Sequence, residues 1–532
     1  MCVRFVLGAH FDKLSVNTML KKIPKEVVGV LKKLEESGFE AFIVGGCVRD
    51  LLADKIPHDW DIATNAKPEE VQKIFPDSFY ENEFGTVGVK VEPFIKNGNA
   101  EKEHDVIEVT TYRIESKYSD KRRPDKVKFA KTLEEDLSRR DFTINAIALK
   151  IVNQSSAFPL RAKARNSLPR RQAGSKPSFS DYEIVDPYHG QEDIKKKLIR
   201  AVGDAHERFD EDALRMMRAV RFHAELGYEI EKNTFSAIKK YSGDLKHIAL
   251  ERIKDELTKI ILSDNASEGI DMLHQTGLLE YIIPELEKGV GVKQNRHHIY
   301  TIYKHSILSL KHCPSKKLEV RLASLLHDIA KPQTKRGEGE YATFYNHDHV
   351  GAKVAEKILS RLRFSNDVIR KVKLLVDNHM FYYNPEEVGD SSVRRLIQKV
   401  GLENMKDLID LRIADRLGSG VPKAKPYKLR HLEYMIDKLS HDAISVKMLK
   451  INGNDLMEEL KLKPGPKIGA ILDVLLAEVI EDAPKNTKEY LSSRAKELDK
   501  EDLEKLRKMA KVKIEEKKEE EDKEIKGKYW VK

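Results

Sequence analysis

Short apolar runs alternate with amphipathic segments over the first 200 residues. The run of Phe42, Ile43 and Val44 predicts a buried strand, Gly45 and Gly46 break it, and a helix is predicted to begin near Arg49. Alternating apolar positions predict further strands at 59–64, 86–91, 105–112 and from 182. A 3.6-residue period predicts helices at 23–38, from 68 and from 133. The first part of the chain is therefore predicted to be a mixed α/β domain.

Two segments interrupt this pattern, and from Ile199 onward the pattern becomes helical almost throughout. Residues 114–125 are polar and charged with little periodicity, which predicts a mobile loop. Residues 151–180 contain no Asp or Glu but six Lys and Arg among prolines and serines, so they are predicted to be a disordered basic insertion between two strands. The insertion either contacts RNA or is inert.

Length and composition restrict the class of protein. A chain of 532 residues is too long for one core, so about three or four domains are expected. Charged residues make up 34%, and no apolar run approaches the length of a membrane span or of a secretory signal, so we expect no membrane contact. The three cysteines have neither paired nor metal-ligand spacing, which fits a reducing cytoplasm. A net charge of +9 agrees with a polyanionic partner.

Two aspartates beside the glycine turn are candidate metal ligands. Successive strand residues point to opposite faces, so Asp59 and Asp61 share one face while Trp60 points the other way. Two neighbouring carboxylates repel each other unless cations lie between them, and Mg²⁺ is the hard cation that keeps positions open for phosphates. A two-metal site for a hydroxyl and a triphosphate is one interpretation, and a solvated edge strand is the other. Glu108 is either a third ligand or a surface glutamate.

Two clusters of arginine and acidic residues are candidate nucleotide contacts. Arg139, Arg140 and Asp141 lie at a predicted helix-to-strand junction, where arginine forks suit triphosphate oxygens, although solvated charge at a helix end is an equal alternative. Asp212 and Arg215 are three residues apart and are predicted to share one helical face, a row that Arg218 and Arg221 continue. The alternative is a solvated basic helix face.

The pair of Asp212 and Arg215 has a specific chemical use. Cytosine and adenine both present an exocyclic amine beside an unprotonated ring nitrogen, whereas uracil and guanine present a carbonyl beside a ring N–H. A carboxylate accepts from the amine while a guanidinium donates to the ring nitrogen. Each unmade hydrogen bond against the wrong base costs about 1–3 kcal/mol, so the pair predicts selection of C and A.

Six motifs in this order, GGCVRD, DWD, VTTYR, KRRPD, RRDFTINA and EDALR, resemble the class II CCA-adding tRNA nucleotidyltransferases and the related bacterial poly(A) polymerases. The resemblance covers roughly residues 24–285, and the basic insertion is its one departure. It implies Mg²⁺-dependent transfer of CMP and AMP from CTP and ATP to a tRNA 3′ end without a nucleic-acid template.

The resemblance also implies roles for individual residues. It makes Asp59 and Asp61 the catalytic metal ligands. It assigns nucleotide binding to a phosphate-contacting turn with Gly46 and Arg49, and to a motif near the ribose and phosphates with Arg140 and Asp141. It assigns base selection to the segment with Glu211, Asp212 and Arg215, and support of the triphosphate to Arg218 and Arg221. The loop at 114–126 resembles the element associated with complete CCA addition.

Histidine and aspartate recur at helix positions between 297 and 420, including His347 and His349 in NHDHVG, mixing imidazole and carboxylate as transition-metal sites do. This segment resembles the HD phosphohydrolase domain. The resemblance implies the metal ligands His305, His327, Asp328 and Asp415, with His349 and His379 as additional ligands or phosphate contacts. Bound Ni²⁺ or Mn²⁺ would activate water for attack on a phosphate ester. A helical spacer that keeps these ligands without turnover is the alternative.

We therefore expect an α+β protein: a small mixed-sheet nucleotidyltransferase head followed by an all-helical neck, an HD-type domain and a tail. The expected boundaries are 23–200 for the head, 201–285 for the neck, 286–420 for the HD-type metal domain, 421–497 for an RNA-contacting tail and 498–532 for a charged extension. The expected function is CCA addition to tRNA. The alternatives are a poly(A) polymerase, a partial CC- or A-adding enzyme, or an HD phosphohydrolase whose head only binds RNA.

Overall fold

The computed structural model describes residues 19–82, 85–94, 104–116, 126–152, 181–295, 299–420, 423–441 and 449–531. Most of the predicted loop at 114–125 and nearly all of the predicted insertion at 151–180 lie outside these residues. The chain divides into two compact units, one reaching to Glu287 with Arg361–Arg363 and the other comprising Lys288–Ser360 and the chain from Phe364.

A seven-stranded mixed sheet forms the centre of the first unit. Its strands in chain order are β1 (Ala41–Val44), β2 (Trp60–Thr64), β3 (Ser78–Asn82), β4 (Thr86–Val91), β5 (Asp105–Thr111), β8 (Ala148–Val152) and β9 (Asp181–Val185). They lie in the order β3-β4-β5-β2-β1-β8-β9, with only the β2–β5 pair parallel. Apolar residues on the strands, such as Ile43, Ile62 and Val109, are completely buried. The predicted mixed sheet is confirmed.

The helices around the sheet follow the predicted signals with two differences. They are α1 (Lys25–Glu36), α2 (Gly46–Leu52), α3 (Pro68–Ile74), α4 (Leu133–Ser138) and α5 (Gly190–Lys196). The predicted start of α2 near Arg49 is wrong, because Gly45 turns the chain with φ of 81° and the helix begins at the next residue. Residues 114–116 are not loop, because β6 (Arg113–Ser116) pairs antiparallel with β7 (Lys126–Phe129).

A group of helices follows the sheet in the same unit. They are α6 (Ala205–Glu211), α7 (Leu214–Leu226), α8 (Lys232–Tyr241), α9 (Leu250–Leu262), α10 (Ala266–Gln275), α11 (Leu279–Ile282) and α12 (Pro284–Glu287). The expectation of an all-helical neck misses one short parallel pair, formed by β10 (Leu198–Ile199) and β11 (Glu229–Ile230). The helix predicted through Asp212 is broken there, since Asp212 is extended with φ of −139° and ψ of 104°.

The second unit is helical in the part that the structure describes. Its helices are α13 (Ile302–Lys311), α14 (Leu318–Leu326), α15 (Lys331–Thr334), α16 (His347–Arg361), α17 (Asn366–Asn378), α18 (Asp390–Val400), α19 (Leu402–Gly418), α20 (Tyr427–His441), α21 (Gly453–Leu460), α22 (Pro466–Glu481), α23 (Lys488–Leu498) and α24 (Leu503–Tyr529). Among the described helices, none is both long enough and apolar enough to cross a bilayer.

Candidate active site and metal centre

Two carboxylates and an arginine meet at the glycine turn after β1. Asp61 on β2 is in parallel register with Glu108 on β5, so both side chains leave the same face of the sheet. A β-carbon on Gly45 would lie 2.8 Å from Nη1 of Arg140 and 3.6 Å from Oδ2 of Asp61. The positive φ therefore favours glycine here, and a β-carbon would also displace the Arg140 guanidinium. Asp59 is exposed and directly precedes β2.

A buried aspartate fixes both arginines of the RRD motif. Asp136 on α4 is 1% exposed; its Oδ1 accepts from Nε and Nη2 of Arg139 at 3.0 and 2.8 Å, and its Oδ2 accepts from Nη2 of Arg140 at 3.2 Å. Oδ1 also accepts from the backbone N–H of Arg113 at 3.3 Å. Burial acts to raise the pKa of Asp136, but Arg139 and Arg140 outweigh it and hold that pKa below its usual value. Sequence reasoning missed Asp136, although it lies three residues before Arg139.

A hydrogen-bonded chain joins the glycine turn to the helix α7. Nη1 of Arg49 donates to Oδ1 of Asn145 at 2.9 Å, and Nδ2 of Asn145 donates to Oδ1 of Asp141 at 3.4 Å. Oδ2 of Asp141 lies 2.6 Å from Nη2 of Arg218. Burial acts to raise the pKa of Asp141, yet Arg218 and its other partners lower it, so the carboxylate is ionised at neutral pH. The structure thus brings together Arg49, Asp141 and Arg218, and adds Asn145, which was inside the RRDFTINA motif but was not singled out.

The EDALR segment differs from its prediction. Oδ1 of Asp212 accepts from the backbone N–H of Leu214 at 2.9 Å, as an aspartate does at a helix start, while its Oδ2 lies 3.2 Å from Nη2 of Arg252. Because Asp212 lies between two helices, the prediction that it shares a helical face with Arg215 is wrong. Arg215 is buried, and its Nη1 donates to Glu211 at 2.6 Å.

Arg221 continues the row on α7 but is largely buried. Its Nε lies 3.2 Å from Oε2 of Glu256 on α9 and 3.8 Å from Oε2 of Glu225. Burial is the largest effect on Arg221 and lowers the pKa of its guanidinium, although Glu256 opposes this. The alternative of a fully solvated basic face therefore does not describe Arg221. Nothing local in the sequence linked Arg252 or Glu256 to this row.

Six side chains converge in the second unit. His305, His327 and Asp415 form one group in which the ligand atoms lie within 4.8 Å of one another, and Asp328, His347 and His379 form another. Nε2 of His305 is 3.0 Å from Nε2 of His327 and 3.1 Å from Oδ2 of Asp328. Oδ1 of Asp328 is 3.4 Å from Nε2 of His347 and 3.7 Å from Nε2 of His379, so Asp328 connects the two groups.

The outer nitrogens of these imidazoles set their orientation. Nδ1 of His327, His347 and His379 lies 3.0, 2.7 and 2.7 Å from the backbone carbonyls of residues 324, 344 and 376. A carbonyl only accepts, so each Nδ1 carries its proton, and in the neutral imidazole each Nε2 turns a lone pair inward. Nε2 of His347 and of His379 is buried without a hydrogen bond in the part of the chain that the structure describes. Buried lone pairs facing carboxylates fit a divalent cation.

Charge at this cluster points the same way. Burial acts to lower the pKa of His305, but Asp328 and Asp415 outweigh it and raise that pKa to about 9. Burial acts to raise the pKa of Asp415 and Asp328, yet the histidines and other cations lower both. The buried Asp328 and the partly exposed Asp415 are therefore ionised. Each also has a cationic partner, Lys331 Nζ at 2.6 Å from Asp328 and Arg412 Nη1 at 2.9 Å from Asp415.

One predicted member of the set is replaced by its neighbour. His349 is 55% exposed, and its Nδ1 lies 2.6 Å from Oδ1 of Asp377, outside both groups. His349 is therefore not a ligand in either group, because α16 begins at His347 and turns that side chain, rather than the one two residues later, into the cluster. The alternative expectation, that His349 contacts phosphate, stays a prediction. His379 lies in the cluster as predicted.

Three family models match successive parts of the chain. They are the poly A polymerase head domain at residues 41–160, the probable RNA and SrmB- binding site of polymerase A at 227–289 and a putative tRNA nucleotidyltransferase domain 2 at 338–495. These matches cover six of the seven sheet strands with the glycine turn, the helices after α7 and a large part of the second unit.

Curated relatives and solved structures extend over nearly the whole chain. A CCA-adding enzyme of Lactococcus lactis subsp. lactis (strain IL1403) is 32% identical over 90% of this chain and 99% of its own length. One from Ligilactobacillus salivarius (strain UCC118) is 34% identical over 89% and 96%. The crystal structure of the Bacillus stearothermophilus CCA-adding enzyme in complex with CTP is 26% identical, covers 90% of this chain and 97% of that one, and has a TM-score of 0.54. The chain therefore belongs to the family of the CCA-adding enzymes, which are tRNA nucleotidyltransferases.

Proposed function

We propose that this chain adds cytidine and adenosine to the 3′ end of tRNA, transferring CMP and AMP from CTP and ATP. The observation that carries the proposal is the glycine turn at which Asp61, in register with Glu108, approaches Arg140. The curated relatives are named CCA-adding enzymes, and one similar crystal structure holds CTP.

In this proposal, Asp59 and Asp61 hold Mg²⁺ and Glu108 faces the same site. Carboxylates on one sheet face, next to a glycine turn that leaves room for a phosphate, fit a hard cation with oxygen ligands. When bound, Mg²⁺ favours ionisation of the attacking 3′-hydroxyl and offsets charge on the departing pyrophosphate. Arg49 and Arg140, with Gly46 at the start of α2, bind triphosphate oxygens, and Asp141 orients Arg218 beside them.

Base selection is assigned to Asp212 and Arg215, with Glu211 as the partner of Arg215 in the structure described here. The carboxylate of Asp212 accepts from the exocyclic amine of C or A, and Arg215 donates to the ring nitrogen. Because Arg215 donates to Glu211 and to the carbonyl of Arg139 at 3.2 Å, base binding requires Arg215 to exchange at least one of these partners. The ion pair with Glu211 thereby holds Arg215 next to the proposed base-binding site before a base binds.

Within this function we propose the domain boundaries given above, with the head at 23–200, the neck at 201–285, the metal domain at 286–420, the RNA-contacting tail at 421–497 and the extension at 498–532. The match to a tRNA nucleotidyltransferase domain at 338–495 supports an RNA-related role for the third and fourth of these.

The test uses tRNA that lacks its terminal CCA, with CTP and ATP supplied separately and together. We expect ordered addition of C, C and A, and we expect Asp61→Asn to lower the rate by at least about 100-fold, since one metal ligand is lost. Glu504→Gln, on the exposed start of α24, is the matched control. An unlimited A tract would identify a poly(A) polymerase, addition of only CC or only A a partial enzyme, and undiminished transfer by Asp61→Asn would contradict the metal site.

A second candidate function is phosphate-ester hydrolysis at the metal centre of the second unit. The observation that favours it is the convergence of six ligands, with the Nε2 atoms of His347 and His379 buried and facing Asp328. We propose that His305, His327 and Asp415 hold one transition-metal ion, Mn²⁺ or Ni²⁺, and that Asp328, His347 and His379 hold a second. A metal held by these residues would supply a site at which water is more easily deprotonated for attack on a phosphate ester.

Metal content tests this centre independently of activity. After incubation with Mn²⁺ or Ni²⁺ and desalting, we expect about two equivalents per chain in the parent protein and a loss of at least one in His347→Ala. His349→Ala is the matched control, since His349 is exposed and pairs with Asp377, and it is expected to retain full metal content. Hydrolysis of a nucleoside 2′,3′-cyclic phosphate by the metal-loaded protein, abolished in His327→Ala, is expected as the functional result. Equal metal content in the parent protein, His347→Ala and His349→Ala would contradict the ligand set.

A further inference from the structure

Three arginines surround a single phenylalanine ring in the first unit. The guanidinium carbons of Arg49, Arg218 and Arg221 lie 5.4, 5.7 and 4.4 Å from the centroid of Phe222. Arg49 comes from α2, after the glycine turn, whereas the other two precede Phe222 on α7 by four residues and by one. The ring therefore lies where the candidate phosphate contacts of two distant sequence motifs meet.

The ring is held in place by its own packing. Phe222 is 5% exposed, and the fully buried Phe142 lies edge-on to it with 5.7 Å between centroids and 87° between planes. Phe142 follows Asp141 in the RRDFTINA motif, so the carboxylate that pairs with Arg218 and the ring that fixes Phe222 are adjacent in sequence. Neither Phe142 nor Phe222 can turn away without disturbing the core.

Three like charges around one point repel each other, and two features oppose that repulsion. Each arginine has a carboxylate partner: Arg49 with Asp50 at 2.8 Å, Arg218 with Asp141 at 2.6 Å and Arg221 with Glu256 at 3.2 Å. The negative face of an aromatic ring attracts a guanidinium within about 6 Å of its centroid, and more strongly when water is excluded. An aliphatic side chain of similar size fills the space but supplies no such attraction.

We propose that Phe222 is a positioning residue that gathers Arg49, Arg218 and Arg221 into one anion site for the triphosphate of the incoming nucleotide. The inference rests on the proposed function and adds to it a residue without charge or hydrogen-bonding groups. The ring contacts both the turn of the head and the helix that follows the base-selecting segment. It thereby fixes the position of the bound triphosphate relative to the base. Because the ring acts on all three arginines, its loss weakens phosphate binding without removing any of them.

The test compares Phe222→Leu with Phe222→Tyr. Inorganic tripolyphosphate is the probe, and its Kd is measured by titration calorimetry on the full-length protein. We expect Phe222→Leu to raise the Kd for tripolyphosphate by about ten-fold and to raise the KM for CTP and for ATP by a similar factor. The change in kcat is expected to be smaller than the change in KM. Phe222→Tyr keeps the ring, so its Kd and KM are expected to stay within about two-fold of the parent values.

Phe209→Leu is the matched control, since Phe209 is a fully buried phenylalanine on α6 in the same unit and takes the same loss of volume. It is expected to bind tripolyphosphate as the parent does. If Phe222→Leu is too unstable to purify, Phe222→Met replaces it as a second ring-free variant. Parent-like binding by the ring-free variant, or an equal loss in Phe209→Leu, overturns the proposal. Failure of the parent protein to bind tripolyphosphate or CTP would instead overturn the proposed function.

Discussion

At the scale of single residues, ion pairs between carboxylates and arginines set the geometry of the candidate active site. Asp136 holds the two arginines of one motif, Asp141 holds Arg218, and Glu211 holds Arg215. An arginine that is paired on one side keeps donors for a ligand on the other, and its orientation is set before the ligand arrives. In the proposed function, the carboxylates are therefore as important to nucleotide binding as the arginines proposed to contact the nucleotide.

Gly45→Ala tests the close approach at the turn. The added β-carbon would lie 2.8 Å from Nη1 of Arg140, and φ of 81° disfavours any side chain, so we expect a loss of about 1–2 kcal/mol in the free energy of unfolding and a fall in nucleotide transfer of at least about ten-fold. Urea unfolding and the tRNA assay measure the two effects.

Gly29→Ala is the control for that substitution. Gly29 lies inside α1 with no atom within 4 Å of an added β-carbon, so alanine is expected to stabilise the helix by about 0.5–1 kcal/mol and to leave transfer unchanged. Equal effects of the two substitutions would show that the turn has no special requirement.

Asp141→Asn tests the ion pair between the buried Asp141 and Arg218. Its loss is expected to lower the free energy of unfolding at pH 7 by about 1–2 kcal/mol, less than for a fully buried pair, since the Arg218 side chain is 36% exposed and water screens the charge left behind. The pKa of Asp141 is lowered in the folded state, so its stabilising contribution is present above the ordinary carboxyl pKa and is lost as pH falls through the lower, folded-state value. The difference between parent and variant should therefore be constant from pH 7 to 5 and shrink below about pH 4. A difference that grows on acidification would contradict this assignment.

At the scale of elements, the break between α6 and α7 is the feature that most changes the site. A continuous helix would place residues 212 and 215 on one face, whereas the extended backbone at Asp212 turns its carboxylate toward Leu214 N and Arg252. Aspartate competes for backbone N–H groups, which favours a cap over a helix interior. The break separates an acidic acceptor from the buried arginine with which it is proposed to act.

Asp212→Ala tests the cap. We expect it to lower the free energy of unfolding by about 1 kcal/mol, because the Leu214 N–H loses its acceptor, and to abolish the preference for CTP and ATP over UTP and GTP. Asp212→Asn keeps an acceptor for Leu214 and should retain most of the stability while losing the ion pair with Arg252. Urea unfolding and competition between nucleotides measure the two effects. A Asp212→Ala protein as stable as the parent would show that the break does not depend on this side chain.

At the scale of the whole molecule, the chain consists of two compact units with different chemistry. The first carries the sheet, the glycine turn and the arginine cluster, and the second carries the six-ligand cluster. The six side chains of that cluster come from residues between 305 and 415, so a metal bound there would join segments more than 100 residues apart in sequence. Metal binding to a folded site stabilises that unit by mass action.

Calorimetric unfolding tests this separation. Two transitions are expected. In a constant excess of Mg²⁺, which fills the carboxylate site proposed for the first unit, saturating Ni²⁺ should raise only one of them, by about 4 kcal/mol of free energy at 1,000 times the Kd. A chelator should reverse the shift. His347→Ala should show no shift, and the other transition should respond to CTP in both proteins. A shift of both transitions by metal would contradict an independent second unit.

The sequence by itself determined much of this protein. The strands, the glycine turn, the motifs with Asp61, Arg140 and Asp141, and the histidine and aspartate series were all found in it, because period, turn chemistry and short motifs are local properties. The proposed roles of all these site residues, in metal binding, phosphate binding and base selection, remain predictions.

Only the tertiary structure decided which distant residues meet. In the folded chain, Glu108 lies in register with Asp61, and Arg252 forms an ion pair with Asp212. His347 rather than His349 lies in the metal cluster, and three arginines lie close to Phe222. These outcomes depend on strand register, on the residue at which a helix begins and on packing between elements distant in sequence. A local pattern carries no information about such neighbours, since the free energy that selects them arises from burial and charge pairing in the folded chain.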